Sequence, residues 1–294
     1  ARIAAPMKEE TGRLDRGDGV HLAWRRIAGR GPGVVFLGGF NSDMTGSKAE
    51  FLAGWCAARG QAFLRFDYSG HGTSEGRFED GTIGRWAEDA ACVIAALTEG
   101  PQILIGSSMG GWIALLLATR RKFALRGVIG IAPAPDFTED LMWAEFPPAV
   151  REAILRDGVW HRPSEYGAPY PITRALIEDG RNQLLLRGPM ALDCPLRILQ
   201  GQQDPDVPWR HALRIAEAVT GGDVRVTLIK GGMAKYGIKN PIFKPSPITP
   251  NYKDYLIFEG ISVDEQGKQH YLDVNVAYRQ ACLNAIEYLK KFGY

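Results

Sequence analysis

The stretch Gln102–Gly111, QILIGSSMGG, constrains the fold more than any other part of the chain. Ile103, Leu104 and Ile105 form a brief, mostly β-branched run that reads as a buried strand, and the Leu/Ala-rich run Trp112–Ala118 reads as a helix. Between them stands Gly106-x-Ser108-x-Gly110, the strand–turn–helix context of a nucleophile elbow. A serine there is forced into a tight, strained turn, and the flanking glycines let strand and helix approach closely. The competing reading is a glycine-rich turn with an incidental serine. The strand before it and the helix after it favour the nucleophile.

Around this stretch, strand and helix patterns alternate. GVVFLGGF (Gly33–Phe40), AFLRFDY (Ala62–Tyr68), LRGVIGIAPAP (Leu125–Pro135), PLRILQG (Pro195–Gly201) and VRVTLIK (Val224–Lys230) read as strands. Helical spacing covers Lys48–Arg59, through Phe51, Leu52 and Trp55; Ile83–Leu97, through Trp86, Ala90 and Val93; and Pro208–Val219. Residues 12–30 suggest an antiparallel lead-in. This rhythm predicts an α/β fold with a mostly parallel sheet wrapped on both faces. Ligands of such sheets collect beyond the carboxyl ends of the strands, where Phe40, Tyr68, Ser108 and Pro133 fall. Residues 136–188 break the rhythm with Phe137, Trp143, Phe146, Trp160 and Tyr170 between prolines. A helical lid over an apolar substrate is favoured there over extra core packing.

Composition narrows the function classes. The net charge of +2 gives no reason to expect nucleic acid as a partner. No apolar run approaches the roughly 20 residues of a membrane span. Cys56, Cys92, Cys194 and Cys282 are scattered without a Cys-x-x-Cys pair, so neither a metal site nor a disulfide framework is expected, and the default setting is cytoplasmic. Composition also changes along the chain. Residues 1–230 hold 23 Arg, 4 Lys and all 7 Trp, whereas residues 231–294 hold 1 Arg, 7 Lys, no Trp and 7 of the 10 Tyr. Arg and Lys are nearly equivalent on a solvated surface, so the switch points to segments of different origin joined near Lys230.

The motifs GGF, RFDYSGHGTSEG, GPQILIGSSMGGW and GQQDPDVPW, in this order, resemble the α/β-hydrolase superfamily over about residues 12–230. Within it they are similar to the small lid-bearing esterases that include protein depalmitoylases and acyl-glucuronide esterases. The resemblance implies an eight-stranded sheet, a Ser–acid–His triad, hydrolysis of small acyl esters or thioesters, and no cofactor. It makes Ser108 the nucleophile, the backbone N–H groups of Phe40 and Met109 the oxyanion hole, and Asp204 the triad acid. Asp206, two residues on, is expected to cap the helix that follows Pro208. His71 precedes the nucleophile in a turn that is structural in this family. His21, His161 and His211 are expected on solvated surface or lid segments.

The family places its histidine soon after the last strand. Here VTLIK runs into Gly231-Gly232-Met233-Ala234, with no histidine. Residues 231–294 instead resemble part of the acetamidase/formamidase family, through FEGISVDE, GKQHYLDV and AYRQACLNAIEYL. Physically this C-terminal segment reads as a proline-rich extended stretch, a hairpin turning at Asp264–Gly267, and a helix over Val274–Lys291. His270 is the one histidine after Asp204, so it preserves the order Ser, Asp, His and is the candidate base. The alternation in KQHYLDV equally allows it a solvent face. The expectation is a serine hydrolase whose triad histidine is missing from its usual place. A catalytically silent chimera and amide hydrolysis linked to the tail stay open beside it.

Overall fold

The computed structural model describes residues 9–163, 169–202, 204–221, 223–226, 242–243 and 257–258. The chain divides into two compact units, Ala1–Val226 and Thr227–Tyr294. The first opens with β1 (Glu9–Asp15) and β2 (His21–Ile27), then β3 (Arg30–Leu37), α1 (Ser47–Arg59), β4 (Gln61–Phe66), α2 (Ile83–Leu97), β5 (Gln102–Ser107), α3 (Met109–Thr119) and β6 (Leu125–Ile131). An insertion follows with α4 (Pro148–Asp157), β7 (Val159–Arg162), β8 (Tyr170–Thr173) and α5 (Arg174–Asn182). The unit closes with β9 (Met190–Ala191), β10 (Leu196–Leu199), α6 (Trp209–Ala218), β11 (Val219–Thr220) and β12 (Val224–Val226). In the second unit, β13 (Ile242–Phe243) pairs antiparallel with β14 (Ile257–Phe258). The predicted turn at Asp264–Gly267, the helix over Val274–Lys291 and His270 lie outside the described residues.

Eight strands form the main sheet in the order β1-β2-β4-β3-β5-β6-β10-β12. The first two pairings, β1 with β2 and β2 with β4, are antiparallel, and all later ones are parallel. The apolar strands owe their shape to burial on both faces. Val35, Leu37 and Leu104 point into a core shared with α2 and α3, whereas Val34, Phe36 and Ile105 point into a second core under α1. Helix α3 is buried from Met109 to Ala118 because sheet and insertion cover it from both sides. On α2 the predicted face, Trp86, Ala90 and Val93, is the buried one.

Helix α1 covers the expected span but departs from the Phe51, Leu52 and Trp55 spacing in what it buries. Its buried residues are Ala49, Ala53 and Cys56, while Trp55 is 37% exposed beneath the Arg59 guanidinium, 4.0 Å from its ring centroid. Small side chains let this helix lie close to the sheet, so the aromatic faces out and is covered by a cation. The insertion departs as well. It is not helical throughout, since β7 and β8 pair as an antiparallel hairpin. Phe137, Met142, Phe146, Ile154, Ile172, Leu176 and Ile177 join the core that holds Trp86 and Trp112, so the insertion adds to the core beyond the carboxyl ends of the strands.

Candidate active site

Ser108 sits between β5 and α3 with φ 51° and ψ −116°, a conformation that L-residues adopt only when their surroundings impose it. The surroundings are on both sides. Its N–H donates to the Ile131 carbonyl at 3.0 Å, and its carbonyl accepts from Gly111 at 2.9 Å and Ala134 at 3.1 Å. The two motif glycines have direct reasons to lack a side chain. A methyl on Gly106 would fall 2.2 Å from the Gly110 carbonyl oxygen, and one on Gly110 would fall 2.1 Å from that of Leu37. Strand, helix and the end of β3 therefore meet at backbone contact.

That contact carries the loop after β3 to the elbow. A methyl on Gly39 would stand 3.6 Å from Ser108 Cβ. Phe40 follows, its ring edge-on to Phe78 at 5.1 Å, Phe137 at 5.7 Å, and Trp86 and Tyr170 at 5.8 Å between centroids. Met109 is the first residue of α3, where an N–H group has no acceptor within the helix and lies at the positive end of its dipole. Neither the Phe40 nor the Met109 N–H is paired with an acceptor among the described residues.

Asp204 lies beyond β10, the strand next to β6 in the sheet. Its Oδ1 accepts from the N–H groups of Asp206 at 3.0 Å and Val207 at 2.9 Å. These bonds orient the carboxylate, and no partner is paired with its second oxygen among the described residues. Asp206 does not cap α6. The cap position belongs to Pro208 and carries no side-chain bond, while Asp206 is exposed.

Four of the five histidines are described, and none is bonded to Asp204. His21 Nδ1 meets Glu75 at 2.9 Å, and His161 is exposed. His211 corrects the expectation of a solvated surface. It is 3% exposed, with Nε2 donating to the Pro135 carbonyl at 2.6 Å, because the inner face of α6 packs on the insertion's root. Burial pushes its pKa down.

His71 is buried among Tyr68, Phe78 and Trp86, and burial lowers its pKa from 6.5 to about 4. Its own part of stability has a definite sign. With the folded-state value depressed, neutral His71 contributes fully above pH 6.5, and this contribution is lost as pH falls towards 4. The 6.5-to-4 shift corresponds to about 3 kcal/mol. Urea unfolding of the parent and His71→Gln at pH 7 and pH 4 is expected to show the stability difference moving against the parent by that amount. A difference independent of pH would contradict it.

Sequence reasoning missed three buried carboxylates that shape the site. Asp67 Oδ1 accepts from Met44 N–H at 2.7 Å and Oδ2 from Thr73 N–H at 2.8 Å. Asp89 Oδ2 accepts from the N–H and hydroxyl of Ser69, at 2.8 and 2.7 Å. Asp136 accepts from Leu185 and Leu186 N–H at 2.7 and 2.9 Å, tying the two ends of the insertion together. Burial raises the pKa of all three. The available signal was an acid at a position whose periodicity calls for an apolar residue, clearest for Asp89 on the inner face of α2.

Comparison with known proteins finds two families, the second overlapping the end of the first unit. The family profile described as serine aminopeptidase, S33, matches residues 32–160, and that of the acetamidase/formamidase family matches residues 201–294. Palmitoyl-protein thioesterase ABHD10, mitochondrial, of Bos taurus is 38% identical over 219 residues, 74% of this chain and 71% of that protein. The structure of alpha/beta hydrolase domain-containing protein 10 from mouse superposes with a TM-score of 0.69 at 36% identity, covering 75% of this chain and 89% of that one. The formamidase of Methylophilus methylotrophus is 67% identical over 93 residues, 32% of this chain but 22% of that protein. Among the described residues no cluster of metal-ligating side chains occurs, and no helix is long and apolar enough to cross a membrane. With its eight-stranded sheet, its elbow and this identity over most of a relative's length, the chain belongs to the α/β-hydrolase family that includes ABHD10, and its body is a serine esterase or thioesterase scaffold.

Proposed function

We propose that the chain hydrolyses small carboxylic esters or thioesters through an acyl-enzyme on Ser108. The observation that carries this reading is the strained backbone of Ser108 at the turn between β5 and α3, and the Phe40 and Met109 N–H groups, without an acceptor among the described residues, support it. Ser108 attacks the acyl carbonyl, and Phe40 and Met109 N–H receive the developing oxyanion. Asp204 is the acid for the imidazole that takes the serine proton; the histidine is missing from its usual place after the last strand, and His270, the one histidine beyond Asp204, is the candidate to replace it. The name of the curated relatives, palmitoyl-protein thioesterase, supports an acyl thioester as one substrate class. The aromatic groups around Phe40 support an apolar acyl chain. The free thiols of Cys56, Cys92 and Cys194 support a reducing compartment, and the relatives' name points to the mitochondrion.

A second reading, a hydrolase body joined to a foreign tail with little or no turnover, is favoured by the Arg-to-Lys switch near Lys230 and by the two family matches. Amide hydrolysis by the tail has weak support, because 22% of a formamidase is matched. Parallel assays with a p-nitrophenyl ester, an acyl thioester and a simple amide separate these readings. Ester and thioester are expected to be cleaved above the Ser108→Ala background, and the amide is not. No cleavage of either above that background would overturn the hydrolase reading. Sequencing single clones of the coding DNA across the codons for Val226 to Gly232 tests the join itself.

A further inference from the structure

The loop after β3 is held by a partly buried polar clamp built from the turn after β4. Asn41, next to Phe40, has φ 54°, a left-handed backbone that persists only where neighbours over-determine it. Its N–H donates to His71 Nε2 at 3.3 Å, across 30 residues of sequence. Because Nε2 accepts, the ring proton is on Nδ1, which donates to the Ser69 carbonyl at 3.3 Å. Ser69 is itself fixed, its carbonyl by Trp86 Nε1 at 3.1 Å and its N–H and hydroxyl by Asp89. Three residues further along the loop, Met44 N–H donates to Asp67 Oδ1 and the Met44 carbonyl accepts from Arg65 Nη1 at 3.0 Å.

We propose that His71 is a positioning residue for the oxyanion hole: by accepting the Asn41 N–H, it sets the peptide plane after Phe40 and so aims the Phe40 N–H at the substrate carbonyl oxygen. The inference rests on the reading of Phe40 N–H as an oxyanion donor. Its geometry follows from two constraints on one residue. Four aromatic rings hold the Phe40 side chain, and His71 holds the following peptide, so little backbone freedom is left to Phe40. Met44, tied to Asp67 and Arg65, keeps the far end of the loop from carrying Asn41 away. Burial supports the role by keeping the ring neutral, since an imidazolium would present a proton to the Asn41 N–H.

The test compares the parent with His71→Phe, which fills the aromatic pocket without an acceptor, and His71→Gln, whose Oε1 still accepts. Two readouts are taken: amide exchange of the peptide spanning Leu37–Met44, with Gln102–Ser107 as internal control, and the second-order rate of Ser108 labelling by an organophosphonate. His71→Phe is expected to speed loop exchange by about tenfold or more with β5 unchanged. Its labelling rate is expected to fall about 10²-fold, the size of losing one oxyanion donor. His71→Gln is expected to stay within threefold of the parent in both. Loop exchange unchanged in His71→Phe, or labelling within threefold of the parent, overturns the proposal. So does a His71→Gln variant as impaired as His71→Phe, since a merely structural ring would not be replaced by an acceptor. Should β5 also open in His71→Phe, His71→Met, flexible and close in volume, takes its place under the same criteria. A parent that does not label at all fails the activated-serine reading, while loop exchange still decides the role of His71.

Discussion

Ser108→Ala is expected to lower ester turnover by about 10⁶-fold when the base is at work, leaving the Phe40 and Met109 N–H groups and the binding surface in place. Alanine fits the turn no worse than serine, because the Ser108 backbone is held by Ile131, Gly111 and Ala134 rather than through its hydroxyl. The loss is therefore one of chemistry and not of fold. The size of the fall also reads the state of the base. Nucleophile and base act as one unit, so removing the second after the first costs little. Progress curves for the parent, Ser108→Ala, His270→Ala and the double variant give the answer. If His270 is the base, both single variants fall to nearly the same residual rate and the double variant stays there. If His270→Ala keeps the parent rate, His270 is not the base. A Ser108→Ala variant as fast as the parent removes the elbow from the chemistry altogether.

Gly110→Ala is expected to be strongly damaging to both stability and activity. Its new carbon would fall 2.1 Å from the Leu37 carbonyl oxygen and 2.6 Å from that of Gly38. Both are backbone atoms of the strand end that leads into the oxyanion loop, so no rotamer change relieves the contact. Helix α3 or the end of β3 must move, and α3 is buried along nearly its whole length. Overpacking costs typically about 1–3 kcal/mol, and a contact with rigid backbone falls at the upper end. The shift also draws Ser108 away from Gly39 and Phe40. Denaturant unfolding is expected to show a lowered midpoint at unchanged slope, with esterase activity lost beyond what the unfolded fraction explains. Parent-like stability and activity together would refute the backbone contact.

The parts of this structure that the sequence announced are those specified locally. Strand, elbow and helix are contiguous in Gln102–Ala118, so spacing alone places Ser108 and its glycines. The turn that carries Asp204 after β10 is likewise local, while its role as the acid comes from the resemblance. What tertiary packing decides was not legible. His211 looks like any polar residue on an amphipathic helix, and its burial comes from Pro135, 76 residues away. Asp206 has the composition of a cap, but Asp204 takes the neighbouring N–H groups first and Pro208 closes the turn. Trp55 recurs at helical spacing with Phe51 and Leu52, yet the helix turns its alanines inward because the sheet lies too close for rings. The β7–β8 hairpin hides in a segment whose aromatics suit either strand or helix.

The most direct test of the central claim, that the elbow carries an activated serine, is the intact mass of the protein after incubation with a fluorophosphonate. One adduct is expected on the parent, mapped to the peptide containing Ser108, and none on Ser108→Ala. A parent that stays unmodified, or a Ser108→Ala variant modified to the same extent, would contradict the account.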